Sequence, residues 1–330
     1  MTQWIAVAAL LASAALWAGT APAQDTSLAR QIFDTMAQTP GYNPAYRAAH
    51  AKGIVCEGTF TAAKGASGLS RAAHFQGGAV RVTVRFSNAS VDPFVADSAP
   101  NPRGMAIRFR LPGGGQTDLV MLSHNGFIVG TGEDFLALQK AIVATDPGEP
   151  HPWPIEAFVG SRPLALKFVQ EVAAVPASYG TQAFFSNNAF VFVNKQGTRQ
   201  PGRYKVLPLA GQQILSEADV KAKPANFLAE DLMRRLQSGP IRYRVVVQLP
   251  NPGDPTSDGS LVWPDDRRTV DVGTVSITSV VADSDAAQKA LVFFPTNLTD
   301  GIELSDDPLP SLRTSAYALS FARRQQHADK

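Results

Sequence analysis

Ala79-Val80-Arg81-Val82-Thr83-Val84-Arg85-Phe86-Ser87 is the stretch on which the fold reading turns. Val80, Val82, Val84 and Phe86 alternate with Arg81, Thr83, Arg85 and Ser87, the period-two pattern of a strand with one apolar face. Taken alone, the polar face reads as solvent-exposed, and it places Arg85 and Ser87 on one side. Similar runs flank it: Gly53 to Phe60 before, Met105 to Leu111 and Asp118 to Ser123 after, separated by Gly, Pro and Asn clusters. Four strands in about 70 residues predict an antiparallel meander. Pro112-Gly113-Gly114-Gly115 reads as the hairpin turn between the last two.

Further runs rich in Val and aromatic residues lie at Ala189 to Asn194, Arg203 to Leu207, Ile241 to Leu249 and Thr269 to Val281. Helical spacing marks Leu28 to Ala37, Glu133 to Ala144, Ile155 to Ala174 and Phe227 to Leu236. A last helix runs from Leu312 to Gln326, started by Asp306-Asp307-Pro308-Leu309-Pro310. The reading is one α+β domain: an antiparallel β-barrel of eight or so strands, surrounding helices and a C-terminal helix.

Composition narrows the function. The 330 residues carry 30 Lys plus Arg against 28 Asp plus Glu, and a net charge of +2 gives no reason to expect nucleic acid as a partner. With 45% apolar and 18% charged residues the chain can bury a sizeable core. Its single cysteine, Cys56, excludes an intrachain disulfide and a Cys-rich metal site, and reads as a buried, inert thiol. None of the five histidines stands three or four residues from another, so a zinc-hydrolase HExxH pair is absent. There is no GxSxG elbow or Walker A sequence, and Gly130-Thr131-Gly132 runs into Glu133 instead of completing GxGxxG. His74 and His151 read as loop residues, His124 as a structural or surface histidine.

Residues 1–24 carry no charged side chain, and an apolar stretch from Trp4 to Trp17 leads to Ala21-Pro22-Ala23. This predicts an export signal at residues 1–23 and a mature domain at 24–330, periplasmic or otherwise exported. The alternative is an uncleaved anchor carrying an exported domain, although the apolar run is shorter than the roughly 20 residues of a span. Only in that alternative does the chain meet a membrane.

Two patterns bear on chemistry. Arg85 and Ser87 share a strand face, and Arg313, Tyr317 and Arg324 fall within about 40° of one direction on the last helix at 100° per residue. Read with their neighbours, these segments resemble those of haem catalases. Arg47 with His50-Ala51-Lys52-Gly53 resembles the distal-histidine segment. Val84-Arg85-Phe86-Ser87 and Asn101-Pro102-Arg103-Gly104-Met105-Ala106-Ile107-Arg108-Phe109 resemble the VRFS and (D/N)PRG blocks. Ser123-His124-Asn125-Gly126 is similar to the distal-asparagine segment. Phe294-Pro295-Thr296-Asn297-Leu298, Gly301-Ile302-Glu303 and Arg313 to Arg324 resemble the proximal end with its R-x-x-x-Y motif. The blocks stand in family order over nearly the whole mature chain. Typical catalases add an N-terminal arm, a wrapping segment and sometimes a further domain, so the likeness is to the short, exported branch of catalase-family peroxidases.

The resemblance implies haem b held through Tyr317, with Arg313 lowering the phenol's pKa. It implies His50 as the acid–base group, Asn125 as a hydrogen-bond donor to peroxide and Ser87 as the group that orients His50. Arg47, Arg85 and Arg324 match the arginines that neutralise the haem propionates. Tyr317 is followed by Ala318 where full-length catalases commonly have Pro-Asp, a departure that bears on catalase rate. The expected activity is reduction of hydrogen peroxide or organic hydroperoxides with an external small-molecule electron donor, in a possible homo-oligomer. The alternatives are a true catalase, an allene-oxide-synthase-like enzyme, and a non-catalytic haem-binding protein of the envelope; a carrier has no need of His50, Asn125 and Ser87 together.

Overall fold

The computed structural model describes residues 23–172 and 174–327, so the expected export signal lies outside the described residues except at Ala23, the first residue of the first helix. Ten strands are present: β1 (Gly53–Ala62), β2 (Ala79–Asn88), β3 (Arg103–Arg110), β4 (Gln116–Leu122), β5 (Phe184–Phe185), β6 (Phe190–Val193), β7 (Arg199–Pro208), β8 (Ile241–Gln248), β9 (Thr269–Val280) and β10 (Ile302–Leu304). The helices are α1 (Ala23–Met36), α2 (Ala66–Leu69), α3 (Gly132–Val143), α4 (Pro154–Gly160), α5 (Pro163–Val172), α6 (Glu217–Lys221), α7 (Phe227–Ser238), α8 (Ser284–Ala290) and α9 (Leu309–Gln325).

The meander β1-β2-β3-β4 forms as expected, and β5, β7, β8 and β9 complete the ring, with β7 pairing to β8 and β9 to β1. Every pairing is antiparallel, which makes an eight-stranded closed barrel with no free edge within the ring. β6 and β10 extend from β7 outside it. Closure needs local bends. One falls in β1, where the register against β9 shifts between Glu57 and Gly58 and a Cβ on Gly58 would run into the Ser276 carbonyl.

Val80, Val82, Val84 and Phe86 of β2 point into the buried interior as the alternation requires. The opposite face departs from the exposed reading: Arg81 is exposed, but Arg85 and Ser87 are each only 4% accessible. The reason is tertiary. The segment before β1 and helix α8 lie over that end of the strand, and α8 is anchored to β1 by Val55 N–H donating to Ser284 Oγ at 2.9 Å.

His74 also departs from its loop reading. It sits in a single 3₁₀ turn, Ala73–Phe75, at 1% exposure, with ring centroids 4.4 Å from Phe75 and 4.8 Å from Phe109. Burial lowers its pKa to about 4, so it serves as a neutral aromatic member of the core. Cys56 is fully buried in β1, and burial pushes its thiol up to about 12, as an inert thiol requires.

The expected helix from Ile155 to Ala174 is broken into α4 and α5, because Pro163 removes a backbone donor and turns the chain at Arg162. The last helix begins three residues before the expected Leu312: Leu309 N–H donates to Asp307 Oδ1 at 2.9 Å and Pro310 occupies the first turn. α9 packs against α1 through Ala29, Ile32, Met36, Leu309 and Leu312, so the two ends of the described chain lie together. Among the described residues no helix is long and apolar enough to cross a membrane.

Candidate active site

The segment before β1 turns sharply at His50, the one described non-glycine residue with positive φ, at 55°. Its backbone is held from outside: Arg85 Nη2 donates to the His50 carbonyl at 2.8 Å and to the Ala51 carbonyl at 3.3 Å, and Ala51 N–H donates to Ser90 O at 2.9 Å. Lys52 is fixed just beyond, ion-paired to buried Asp97 at 2.8 Å. The turn therefore presents the imidazole in one orientation. Nδ1 lies 2.9 Å from Ser87 Oγ, and with the proton on Nδ1 donating to Ser87 the Nε2 atom is left as an acceptor.

Gly104 makes room for this pair. It stands opposite Ser87 in the β2–β3 register, and a Cβ there would lie 2.6 Å from Ser87 Oγ and 2.7 Å from His50 Nδ1. The sequence reading quoted Gly104 within a motif and assigned it no part. Burial, then the charges of Arg85, Arg313 and Arg47, lower the His50 pKa to about 3. His50 is a neutral base at any pH near 7.

Asn125 follows β4 in a bend whose backbone is clamped on both sides: Asn187 Nδ2 donates to Gly126 O at 3.0 Å and Phe127 N–H to Gly259 O at 2.8 Å. The Asn125 side chain is half-buried and has no hydrogen-bond partner among the described residues. Its neighbour His124 is spoken for, as expected of a structural histidine, by Glu171 at 3.0 Å and the ring of Phe168 at 4.6 Å.

On α9, Arg313 Nε and Nη2 donate to Tyr317 Oη at 3.3 and 3.2 Å, one helical turn apart as the motif spacing required. Arg313 is itself aimed by two residues that the sequence reading missed. Its Nη1 donates to Asn188 Oδ1 at 2.5 Å, and Asn188 Nδ2 donates to Asp307 Oδ2 at 2.7 Å. Asp307 also accepts from Leu309 N–H, so the same carboxylate holds the first residue of α9 and orients its arginine.

Arg47, Arg85 and Arg324 converge from three elements. Arg47 Nη2 and Arg324 Nη2 donate to the same carbonyl, Leu291 O, at 2.7 and 2.8 Å, and Arg85 donates to Gln288 Oε1 at 2.8 Å. Burial, and for Arg47 the charges of Arg85 and Arg324, lower all three guanidinium pKa values, Arg85 to about 9 and Arg324 to about 10. None of the three has a carboxylate beside it among the described residues. Arg47 also feels Tyr317, and His50 feels Arg313, so the histidine side and the tyrosine side lie within electrostatic reach of each other. Ala48 N–H donating to Ser320 Oγ at 3.0 Å ties the two sides directly. Seven of the eight expected site residues are thus linked by hydrogen bonds or charge, with Gly104, Asn188, Asp307 and Gln288 added, while no contact among the described residues joins the Asn125 side chain to them.

A closed eight-stranded antiparallel barrel with helices packed around it is the architecture of the catalase class. The crystal structure of a fungal catalase superposes with a TM-score of 0.76 at 21% identity, over 84% of this chain and 59% of that one. The chain belongs to the Catalase family, whose profile matches residues 20–327. It is 38% identical over 297 residues to the catalase-related peroxidase of Mycolicibacterium paratuberculosis, covering 89% of this chain and 94% of that protein. It is 32% identical over 327 residues to the catalase-related peroxidase of Synechococcus elongatus, covering 98% and 96%.

The Gly104 geometry gives a test. Gly104→Ala is expected to separate Ser87 from His50 and lower peroxide-dependent turnover by about 10²-fold, the lower range for a general acid–base group, with the far-ultraviolet circular dichroism spectrum unchanged. Turnover equal to the parent would show that the pair tolerates the methyl group.

Proposed function

We propose that the chain is a haem b peroxidase that reduces hydrogen peroxide or an organic hydroperoxide at the expense of an external small-molecule electron donor. The observation that carries this reading is the neutral His50, paired with Ser87, next to three guanidiniums, those of Arg85 and Arg324 buried and that of Arg47 half-buried, with no carboxylate partner among the described residues. Buried charges of one sign call for a counter-charge. A porphyrin with two carboxylates supplies it, and the donor set fits the metal as well: the Tyr317 oxygen, held in place by two guanidinium N–H bonds, is a ligand of the type that haem iron takes in catalase.

Tyr317 would hold the iron, and Arg47, Arg85 and Arg324 the carboxylates. When bound, ferric haem supplies the redox equivalents for O–O cleavage. His50 Nε2 removes a proton from one peroxide oxygen and returns it to the leaving oxygen. Ser87 holds the tautomer that makes this possible. The unengaged Asn125 amide donates to the peroxide and keeps it beside His50. The two relatives that this chain matches over nearly their whole length are both named catalase-related peroxidases, which supports donor oxidation over peroxide disproportionation.

Oxygen evolution and dye oxidation on one preparation test this choice. Donor oxidation with organic hydroperoxides is expected to be efficient, with slow oxygen release from hydrogen peroxide. Rapid oxygen release with little dye oxidation would make the chain a true catalase.

Tyr317→Phe is expected to remove the iron's protein ligand and to lose most of the bound haem. The measurement is haem content per chain, and stoichiometric haem with an unchanged absorption spectrum would reject the ligand assignment. We also infer export to the periplasm or beyond the cell, supported by the uncharged apolar segment and the Ala21-Pro22-Ala23 site. The mature terminus is then Gln24, read by N-terminal sequencing; Met1 or Thr2 would favour the anchored form.

A further inference from the structure

Three guanidiniums from a loop, a strand and the last helix meet at one short element, α8. A helix end leaves carbonyls without intrahelical donors, and such carbonyls take up cations. Arg47 Nη1 donates to Gln288 O at 2.9 Å, Arg324 Nε to Lys289 O at 3.1 Å, and both residues share Leu291 O just past the end of the helix. The Gln288 side chain, 6% exposed, completes the set. Its Oε1 accepts from Arg85 Nε at 3.2 Å and Nη2 at 2.8 Å, while its Nε2 donates to Asp285 Oδ1 at 2.9 Å. Held at both ends, the amide has one orientation.

Every acceptor that these three guanidiniums meet on α8 and just past its end is neutral. An aspartate or glutamate in their place would align the guanidiniums equally well and cancel the charge that they offer. Carbonyl and amide dipoles align the cations against their mutual repulsion and leave the cluster's positive charge available. We propose that the C-terminal turn of α8 is a preformed platform that seats the cofactor's carboxylates by aiming Arg47, Arg85 and Arg324, with Gln288 as its positioning residue. The proposal rests on the haem reading above and adds to it the element that prepares the seat. Gln288 acts through Arg85.

The probes are ferric haem and its dimethyl ester, which keeps the iron and the ring and caps both carboxylates. The full-length chain is titrated with each, as parent, Gln288→Ala and Gln288→Glu. Gln288→Glu keeps the shape of the side chain and adds the counter-charge, so it carries the test if the alanine variant does not fold. Gln288→Ala is expected to weaken ferric haem about tenfold, the scale of one charge-assisted hydrogen bond, and Gln288→Glu at least as much. Both should speed haem transfer to apomyoglobin, and neither should move affinity for the dimethyl ester by more than about twofold. Equal losses for the two ligands would make Gln288 a packing residue and overturn the proposal, as would no loss for either. A parent chain that takes up neither ligand would overturn the haem reading and the proposal with it, a result separable from the other two.

Discussion

Arg85 is a cation on a strand face that the fold covers, and the neighbouring segments are arranged around what it needs. Its guanidinium reaches back across β1 to the carbonyls of His50 and Ala51 and sideways to Gln288. Gly53 stands where any side chain would collide with it. His50 can then hold a left-handed backbone, which costs a non-glycine residue about 1–3 kcal/mol and persists only where the surroundings fix it. The bond from Arg85 to the His50 carbonyl is that constraint. Because Ser87 lies two residues along the same strand, the imidazole that the turn presents meets the hydroxyl that orients it.

The same cations set the electrostatics. Each one near His50 disfavours a second proton on the ring, so the arrangement that leaves positive charge for a dianion also keeps the base neutral. On the α9 side the sign is reversed. Arg313 gives two N–H bonds to Tyr317, and the carboxylate of Asp307 is kept from the guanidinium by the neutral amide of Asn188. A direct Asp307–Arg313 pair would compete for the N–H groups that Arg313 gives to Tyr317 Oη. Asn188 passes on orientation without passing on charge.

The meander β1 to β4 was legible because its strands are long and alternate cleanly, and α9 because its apolar and charged positions repeat at helical spacing. Burial of Arg85 and Ser87 was not, since the pieces that cover them are a loop and the seven-residue α8, neither with a period of its own. β5 and β10, two and three residues long, are too short to carry an alternation signal. His74 misled through its polarity: nothing around it in sequence says that a 3₁₀ turn inserts it among phenylalanines. The eight expected site residues come from motif likeness, and the neighbours it left out are the ones whose meaning is long-range. Gln288 meets Arg85 across 203 residues, and Asn188 meets Arg313 across 125. A glutamine and an asparagine in short elements give no local sign of such partners.

That separation has a thermodynamic consequence. Neither half of the site exists on its own part of the chain: His50, Ser87 and Arg85 belong to the first strands of the barrel, while Tyr317, Arg313 and Arg324 arrive on the last helix. They are joined chiefly by the Ala48 bond to Ser320, the Leu291 carbonyl shared by Arg47 and Arg324, and the apolar seam between α1 and α9. Docking of α9 brings Arg324 toward Arg47 and Arg85 in a poorly solvated space, so part of what the seam contributes is offset by repulsion. A ligand with two negative charges that engaged both sides would bind the docked arrangement and add its binding free energy to the docking of α9.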